Sequence, residues 1–98
     1  IARGDLGNVM PLSELPKVQA YIAKVCKEHN KNFMVVTQML DSMIRNPYPT
    51  RAEVNDIYHA VHQGANALML TGETAHGRYP VEAMKMLVET ANGSLEEL

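Results

Sequence analysis

The sequence predicts an α/β fold in which short parallel strands alternate with helices packed outside them. Three observations predict it. Brief apolar runs alternate with amphipathic helical stretches: the end of one run at Ile1 and Ala2, then FMVV at Phe33 to Val36 and ALML at Ala67 to Leu70. Each run is followed by a polar cluster, Arg3-Gly4-Asp5, Thr37-Gln38 and Thr71-Gly72-Glu73. The spacing is regular: Gly4 to Thr37 is 33 positions and Thr37 to Thr71 is 34. A closed barrel of eight strand–helix units in roughly 250 residues allots about 31 to each. No residue-level self-similarity accompanies the period, so it marks an architecture and not a solenoid repeat. Periodicity alone leaves two architectures open, three consecutive βα units of a partial (β/α)8 TIM barrel or half of a doubly wound sheet.

Each element has its own signal. SELPKVQAYIAKVCKEH predicts the first helix, with Ser13 as its cap and Pro16 in the first turn, where amide protons lack helical acceptors. Leu15, Val18, Ile22, Val25 and Cys26 recur at helical spacing as one apolar stripe. NKN breaks the pattern. FMVV is short, β-rich and continuously apolar, which suits a strand buried on both faces. TQMLDSMIRNPYPT carries two prolines and reads as an irregular connection, with one helical turn at Met39 to Ile44. TRAE is a capping box, Thr50 capping and Glu53 three residues on. The helix it starts runs to about His62, with Val54, Ile57 and Val61 inward, and Gly64 ends it. ALML is a second buried strand and GETAHGRY a glycine-punctuated loop. Pro80 opens the last helix, whose apolar stripe is Val81, Met84, Leu87 and Ala91; the SLEEL tail continues it or frays.

Bulk properties exclude several classes. The 98 residues suffice for one small domain. With 9 basic against 11 acidic residues, net charge −2, the chain shows no general affinity for nucleic acid or acidic membranes. Nothing approaches the roughly 20 apolar residues of a membrane-spanning helix. No signal peptide is visible, an observation of little weight in a chain that starts at Ile1 and reads as a piece of something longer. The single cysteine, Cys26, rules out an internal disulfide and fits a reducing compartment. On a helix it reads as a small buried hydrophobe.

The three polar clusters carry the chemistry. Parallel α/β folds bind ligands at the carboxyl ends of their strands, and neighbouring parallel strands bring the clusters to one rim. Gly4 and Gly7, residues suited to unusual bends or close approach, leave nearby N–H groups open to an anion. Asp5 can offer oxygen to a hard cation. Together with two hydroxyls and the second carboxylate, they suggest an anionic substrate bridged to a divalent ion. Plainer readings stand beside this one. GDLG is also an ordinary turn, Thr37 also a hydroxyl satisfied by local backbone, and GET also a turn whose glutamate faces water. His59 and His62, at i and i+3, read as an exposed face before a metal pair. His29 suits a helix end by its dipole, and His76 is a loop histidine with no evident partner. Met10, Met34, Met39, Met43, Met69, Met84 and Met86 form no stripe and read mostly as core filler.

Taken together, ARGDLG, TQMLDSMIRNPYPTRAEVNDI and MLTGETAHGRYPVEAM, in this order and spacing, closely resemble the pyruvate kinase family. The likeness runs to about Thr90. It implies the barrel, with the motifs on its sixth, seventh and eighth strands, and a segment over 1–98 from the end of strand six to helix eight. It implies a glycolytic phosphotransferase that moves phosphoryl from phosphoenolpyruvate to ADP, giving ATP, and then protonates the enolate to pyruvate. By resemblance, Asp5 ligates Mg2+ or Mn2+, and the amides at Gly4 and Asp5 hold the substrate carboxylate. Thr37 contacts that carboxylate near the carbon that gains a proton, and Thr71 and Glu73 border the region as a proton relay. Arg51 reaches across a subunit interface, and Arg3 helps fix the ARGDLG turn. The parent is expected to be a cytoplasmic homo-oligomer, a tetramer, with a plastid location also open and with no nucleic-acid or membrane partner.

The chain departs from the family at a few positions. Thr71 stands where serine is common, Asn66 where aspartate is common, and Asn8 and Val9 are less usual after DLG. The family's phosphate-facing lysine, its second acidic metal ligand, its K+ ligands, its lid domain and its carboxy-terminal domain have no counterpart among these residues. The 98-residue chain alone is therefore expected to be inactive. Two further readings remain: a stand-alone association domain, and another phosphoenolpyruvate or pyruvate barrel enzyme of the aldolase kind.

Overall fold

The computed structural model describes residues 1–96, so the end of the SLEEL tail lies outside the described residues. A short helix α1 (Arg3–Gly7) follows Ile1 and Ala2, and a 3₁₀ turn (Leu12–Glu14) leads into α2 (Leu15–Glu28). Strand β1 (Met34–Val36), a 3₁₀ turn (Asp41–Ile44) and α3 (Arg51–His62) come next. Strand β2 (Ala67–Met69), the one-turn helix α4 (Gly72–Ala75) and α5 (Pro80–Leu95) complete the order.

The strands are parallel. Met34, Val35 and Val36 pair with Ala67, Leu68 and Met69, and Ala2 makes a parallel bridge to Val36. The Val36 amide donates to the Ile1 carbonyl at 3.1 Å, so Ile1 and Ala2 serve as the end of a third strand beside β1. Three successive strand ends therefore point the same way, with helices on one side. Asn66 staples the entry to this sheet: its amide donates to the Phe33 carbonyl, and its Oδ1 accepts the Phe33 amide at 3.0 Å. An aspartate would accept the same bond, which explains why asparagine serves in its place.

The helices end as their residues dictate. Asn30 adopts φ +54° just beyond α2, and the Lys31 amide reaches back to the Cys26 carbonyl at 2.8 Å. Gly64 does the same beyond α3 at φ +92°, where the Ala65 amide donates to the Ala60 carbonyl. Both are Schellman closures, which favour glycine and tolerate asparagine. At the start of α3 the capping box is complete, Thr50 Oγ1 accepting the Glu53 amide and Glu53 Oε1 accepting the Thr50 amide.

Val35, Met39, Leu40, Met43, Ile57, Ala60 and Ala83 are fully buried between the sheet and α3 and α5. Several expectations are corrected here. Ser13 caps nothing; it lies inside the 3₁₀ turn, and α2 begins at Leu15. The deepest positions of α2 are Gln19 and Ala23, with the apolar stripe half-buried around them. Gln19 is accommodated because its Nε2 donates to Gln63 Oε1 across the α2–α3 contact at 2.8 Å. On α5 the buried line is Ala83, Leu87 and Ser94, so Val81 and Met84 face outward. Small residues there let α5 approach α3 closely, and the larger ones are turned away. The strands are not buried on both faces. Met34 and Met69 are 40% and 43% exposed, because helices cover only the face bearing Val35 and Leu68. Of the methionines, Met39 and Met43 are fully buried, whereas Met34, Met69 and Met84 are exposed.

Candidate functional site

The segments that follow the three parallel strand ends are in contact. Thr37 Oγ1 accepts the Gly4 amide at 2.7 Å and donates to the Val36 carbonyl at 2.7 Å. A Cβ at Gly4 would meet Thr37 Oγ1 at 3.5 Å, an ordinary van der Waals contact, so the two segments pack against each other without this approach demanding glycine. From the third strand end, the Glu73 carboxylate reaches the Leu40 amide at 2.9 Å. Arg3, Gly4, Thr37 and Glu73 thus belong to one continuous polar seam across the carboxyl ends of the sheet.

The backbone of the seam differs from the turn predicted at GDLG. Arg3–Gly7 is a helical turn in which the Leu6 amide bonds the Ala2 carbonyl at 3.1 Å. Neither Gly4 nor Gly7 has a positive φ. The Gly4 amide, expected to be open to an anion, is engaged by the Thr37 hydroxyl. The first residues of GETAHGRY form α4 instead of an open loop. The unusual backbone lies elsewhere, at Thr37 and Gln38, with φ +69° and +58°. Consecutive non-glycine residues in the left-handed region are costly and persist only when their surroundings enforce them.

Arg3 provides part of that enforcement. Its Nη2 donates to the Thr37 carbonyl at 2.6 Å and lies 3.0 Å from Met39 Sδ, and its Nε donates to the Val36 carbonyl at 3.2 Å. Its Nη1 contacts both carboxylate oxygens of Asp56, at 2.7 and 2.8 Å. The pair is largely shielded, the side chains being 10% and 28% exposed. Arg3 therefore fixes the neighbouring Thr37 segment more directly than its own turn. Asp56 was not legible as a site residue, since nothing in the linear sequence links it to a partner 53 residues away.

The other expected residues fall as follows. Asp5 is exposed in the first turn of α1. Among the described residues no group of three or more His, Cys, Asp or Glu could hold a metal ion. One carboxylate still fits part of a magnesium site, because Mg2+ keeps several waters and takes one or two carboxylates alongside substrate phosphates. Thr71 lies beside Glu73: its amide donates to Glu73 Oε1 at 3.0 Å, and its hydroxyl is 3.5 Å from the same oxygen. Glu73 is 1% exposed, so the reading in which it faces water is overturned. Arg51 is exposed at the first position of α3, away from the seam's hydrogen bonds. His59 is exposed, and His62 stacks on Tyr58 with ring centroids 4.2 Å apart.

A second cluster supports the seam. Burial pushes the Glu53 carboxyl up, but hydrogen bonds from the Ser42 hydroxyl and amide and from Thr50 outweigh it and hold the group below the ordinary glutamate value. Glu53 thereby ties the start of α3 to the 3₁₀ turn that follows the Thr37 segment.

Parallel strand–helix units, with polar side chains and tight backbone contacts gathered at the strands' carboxyl ends, define a segment of an α/β barrel with a candidate ligand site on its carboxyl rim. A profile of the pyruvate kinase barrel domain matches residues 1–84, and the chain belongs to that family. It is 51% identical over 98 residues to a pyruvate kinase of Thermotoga maritima, which covers 100% of this chain and 21% of that protein. It is 53% identical over 87 residues to the chloroplastic pyruvate kinase isozyme G of Nicotiana tabacum, covering 89% of this chain and 16% of that protein. A crystal structure of a pyruvate kinase from Cryptosporidium parvum superposes with a TM-score of 0.98 at 36% identity, over 100% of this chain and 20% of that one. The chain thus spans about a fifth of the length of the relatives it matches.

Proposed function

We propose that these residues form the acid-side rim of a pyruvate kinase active site, the polypeptide that carries them transferring phosphoryl from phosphoenolpyruvate to ADP. The observation that carries this reading is the meeting of the Gly4 amide and the Thr37 hydroxyl at 2.7 Å, beside the exposed Asp5. A substrate carboxylate brought to that point is within reach of both groups. Binding would exchange the Gly4–Thr37 and Thr37–Val36 hydrogen bonds for bonds from the Gly4 and Asp5 amides and the Thr37 hydroxyl to the carboxylate. Binding in one orientation supplies much of what phosphoryl transfer asks of a protein.

Asp5 is the residue here that would hold Mg2+ or Mn2+; when bound, such an ion neutralises developing enolate and phosphoryl charge as a Lewis acid. Thr37 is too weak an acid to protonate carbon unaided, so its hydroxyl, with that of Thr71, orients a proton-carrying chain of hydroxyls or water. Arg3, held by Asp56, keeps Thr37 in place. K+ is expected in the parent, with its ligands outside these residues. Ile1–Ala2, β1 and β2 are assigned to the sixth, seventh and eighth barrel strands. The assembly is a homo-oligomer, with Arg51 at a subunit contact. No helix among the described residues is long and apolar enough to cross a membrane.

A lactate-dehydrogenase-coupled assay tests the reading. The full-length polypeptide is expected to form pyruvate from phosphoenolpyruvate and ADP, and to stop when the divalent cation is chelated. Residues 1–98 alone are expected to show no turnover. A full-length polypeptide with no turnover would remove the reading.

A further inference from the structure

We infer that Glu73 is a positioning residue whose carboxylate clasps two strand-end segments together and so holds Thr37 and Gln38 in their left-handed backbone. The inference rests on the proposed reaction for its kinetic consequences, but its geometry stands without it.

Glu73 is almost wholly buried, and among the described residues no basic side chain pairs with it. Each of its oxygens accepts a different backbone amide. Oε2 takes the Leu40 amide at 2.9 Å, and Oε1 takes the Thr71 amide at 3.0 Å. The two amides follow different strands, so the carboxylate is a bridge between the loop after β1 and the loop after β2. Gly77 packs so closely against the Glu73 carbonyl that a Cβ there would lie 2.6 Å from it.

The loop after β1 is where the strain lies. Thr37 and Gln38 have φ +69° and +58°. Arg3 grips the start of this loop through the Thr37 carbonyl. Glu73 grips its end at Leu40, and Met39 and Leu40 are fully buried between the two grips. A left-handed pair released at one end relaxes toward the right-handed region that its side chains prefer. The Thr37 hydroxyl would then leave the Gly4 amide. In this arrangement both Glu73 oxygens work as acceptors of backbone protons, which assigns the residue to shaping the loop and leaves proton delivery to hydroxyls and water.

The assignment separates two carboxylate variants that a proton-carrying role would treat differently. Glu73→Gln keeps the length but turns an NH2 donor toward one of two N–H donors. Glu73→Asp keeps a carboxylate but is too short to span both amides. The full-length polypeptide carrying each variant, alone and combined with Gln38→Gly, is to be assayed in three ways: for deuterium exchange at the Leu40 and Thr71 amides, for kcat and KM, and for solvent exchange of the pyruvate methyl protons. Both variants are expected to lose amide protection at Leu40. Both should lower turnover and methyl-proton exchange together, by about a hundredfold, as a misplaced reacting group does. Glycine enters the left-handed region freely, so Gln38→Gly should restore about fivefold or more of the loss.

Near-normal methyl-proton exchange in Glu73→Asp, with none in Glu73→Gln and no rescue by Gln38→Gly, would overturn the assignment in favour of a proton carrier. Unchanged Leu40 protection in both variants would also overturn it. If Glu73→Gln fails to fold, Glu73→Asp and its rescue decide the matter. A wild-type polypeptide that makes no pyruvate would remove the reaction, while amide exchange at Leu40 would still judge the clasp.

Discussion

At the scale of single residues, the site is built from groups that do two things at once. The Thr37 hydroxyl donates to the Val36 carbonyl and accepts from Gly4, so it satisfies local backbone and also faces the neighbouring strand end. The plain expectation for Thr37, a hydroxyl satisfied by local backbone, is met, and its proposed role toward substrate is a matter for substitution. Thr37→Val keeps the β-branched shape and removes the hydroxyl. In the full-length polypeptide it is expected to lower turnover by about a hundredfold, within the range of a lost proton-transfer group. Thr37→Ser should retain most activity, and equal loss in both would detach the hydroxyl from the reaction. Arg3 and Asp56 make a comparable pair. Asp56→Asn leaves a shielded guanidinium with a weaker partner and is expected to cost about 1–3 kcal/mol. Amide exchange across Thr37 to Leu40 should rise with it, and unchanged exchange would place the loop's support elsewhere.

At the scale of elements, what was legible followed local rules and what was not depended on distant contacts. The capping box at Thr50 and Glu53, the stop at Gly64 and the start at Pro80 are all present, because each is decided within a few residues. Glycines at Arg3–Gly7 and Gly72–Ala75 signal bends in the sequence, but both segments are helical turns, and at Gly72 a Cβ would come within 3.2 Å of Ile44 Cδ1. The left-handed pair at Thr37 and Gln38 had no sequence signal, since neither residue type favours that region. It is imposed by Arg3 from one side and Glu73 from the other. On α5 the expected stripe holds at Leu87 and Ala91 and fails at Val81 and Met84: apolar size points to those two, whereas close approach to its neighbours selects Ala83. Glu53 offers a pH test at this scale. Its folded carboxyl is held below the ordinary glutamate value of 4.5, so the stability it contributes is complete above that value. That contribution is lost as pH falls through the lowered folded value. Protection of the Ser42 amide should fall over the same acid range and become pH-insensitive in Glu53→Gln. Thr50→Ala should cost about 1 kcal/mol as a lost helix cap, read by exchange in the first turn of α3.

At the scale of the whole molecule, the arrangement is open on one side. Met34 and Met69 on the sheet, and Val81, Met84, Val88 and Leu95 along α5, leave large apolar side chains uncovered. Residues 1–98 produced alone are therefore expected to self-associate or to fail to order, as exposed apolar surface and open sheet edges do. Sedimentation showing a sharp monomer with cooperative unfolding would contradict this. The proposed reaction is legible only by resemblance, because the seam by itself offers the exposed Asp5 carboxylate, the Thr37 and Thr71 hydroxyls and a set of amides, an inventory that fits several chemistries. The central claim is that Asp5 belongs to a rim where a divalent cation and an anionic substrate meet. The most direct measurement is Mn2+ binding to the full-length polypeptide and to its Asp5→Ala variant, by water-proton relaxation with and without phosphoenolpyruvate. The account predicts Mn2+ affinity at least about tenfold weaker in the variant, with pyruvate formation lost. Equal Mn2+ affinity and near-normal turnover in the two proteins would contradict it.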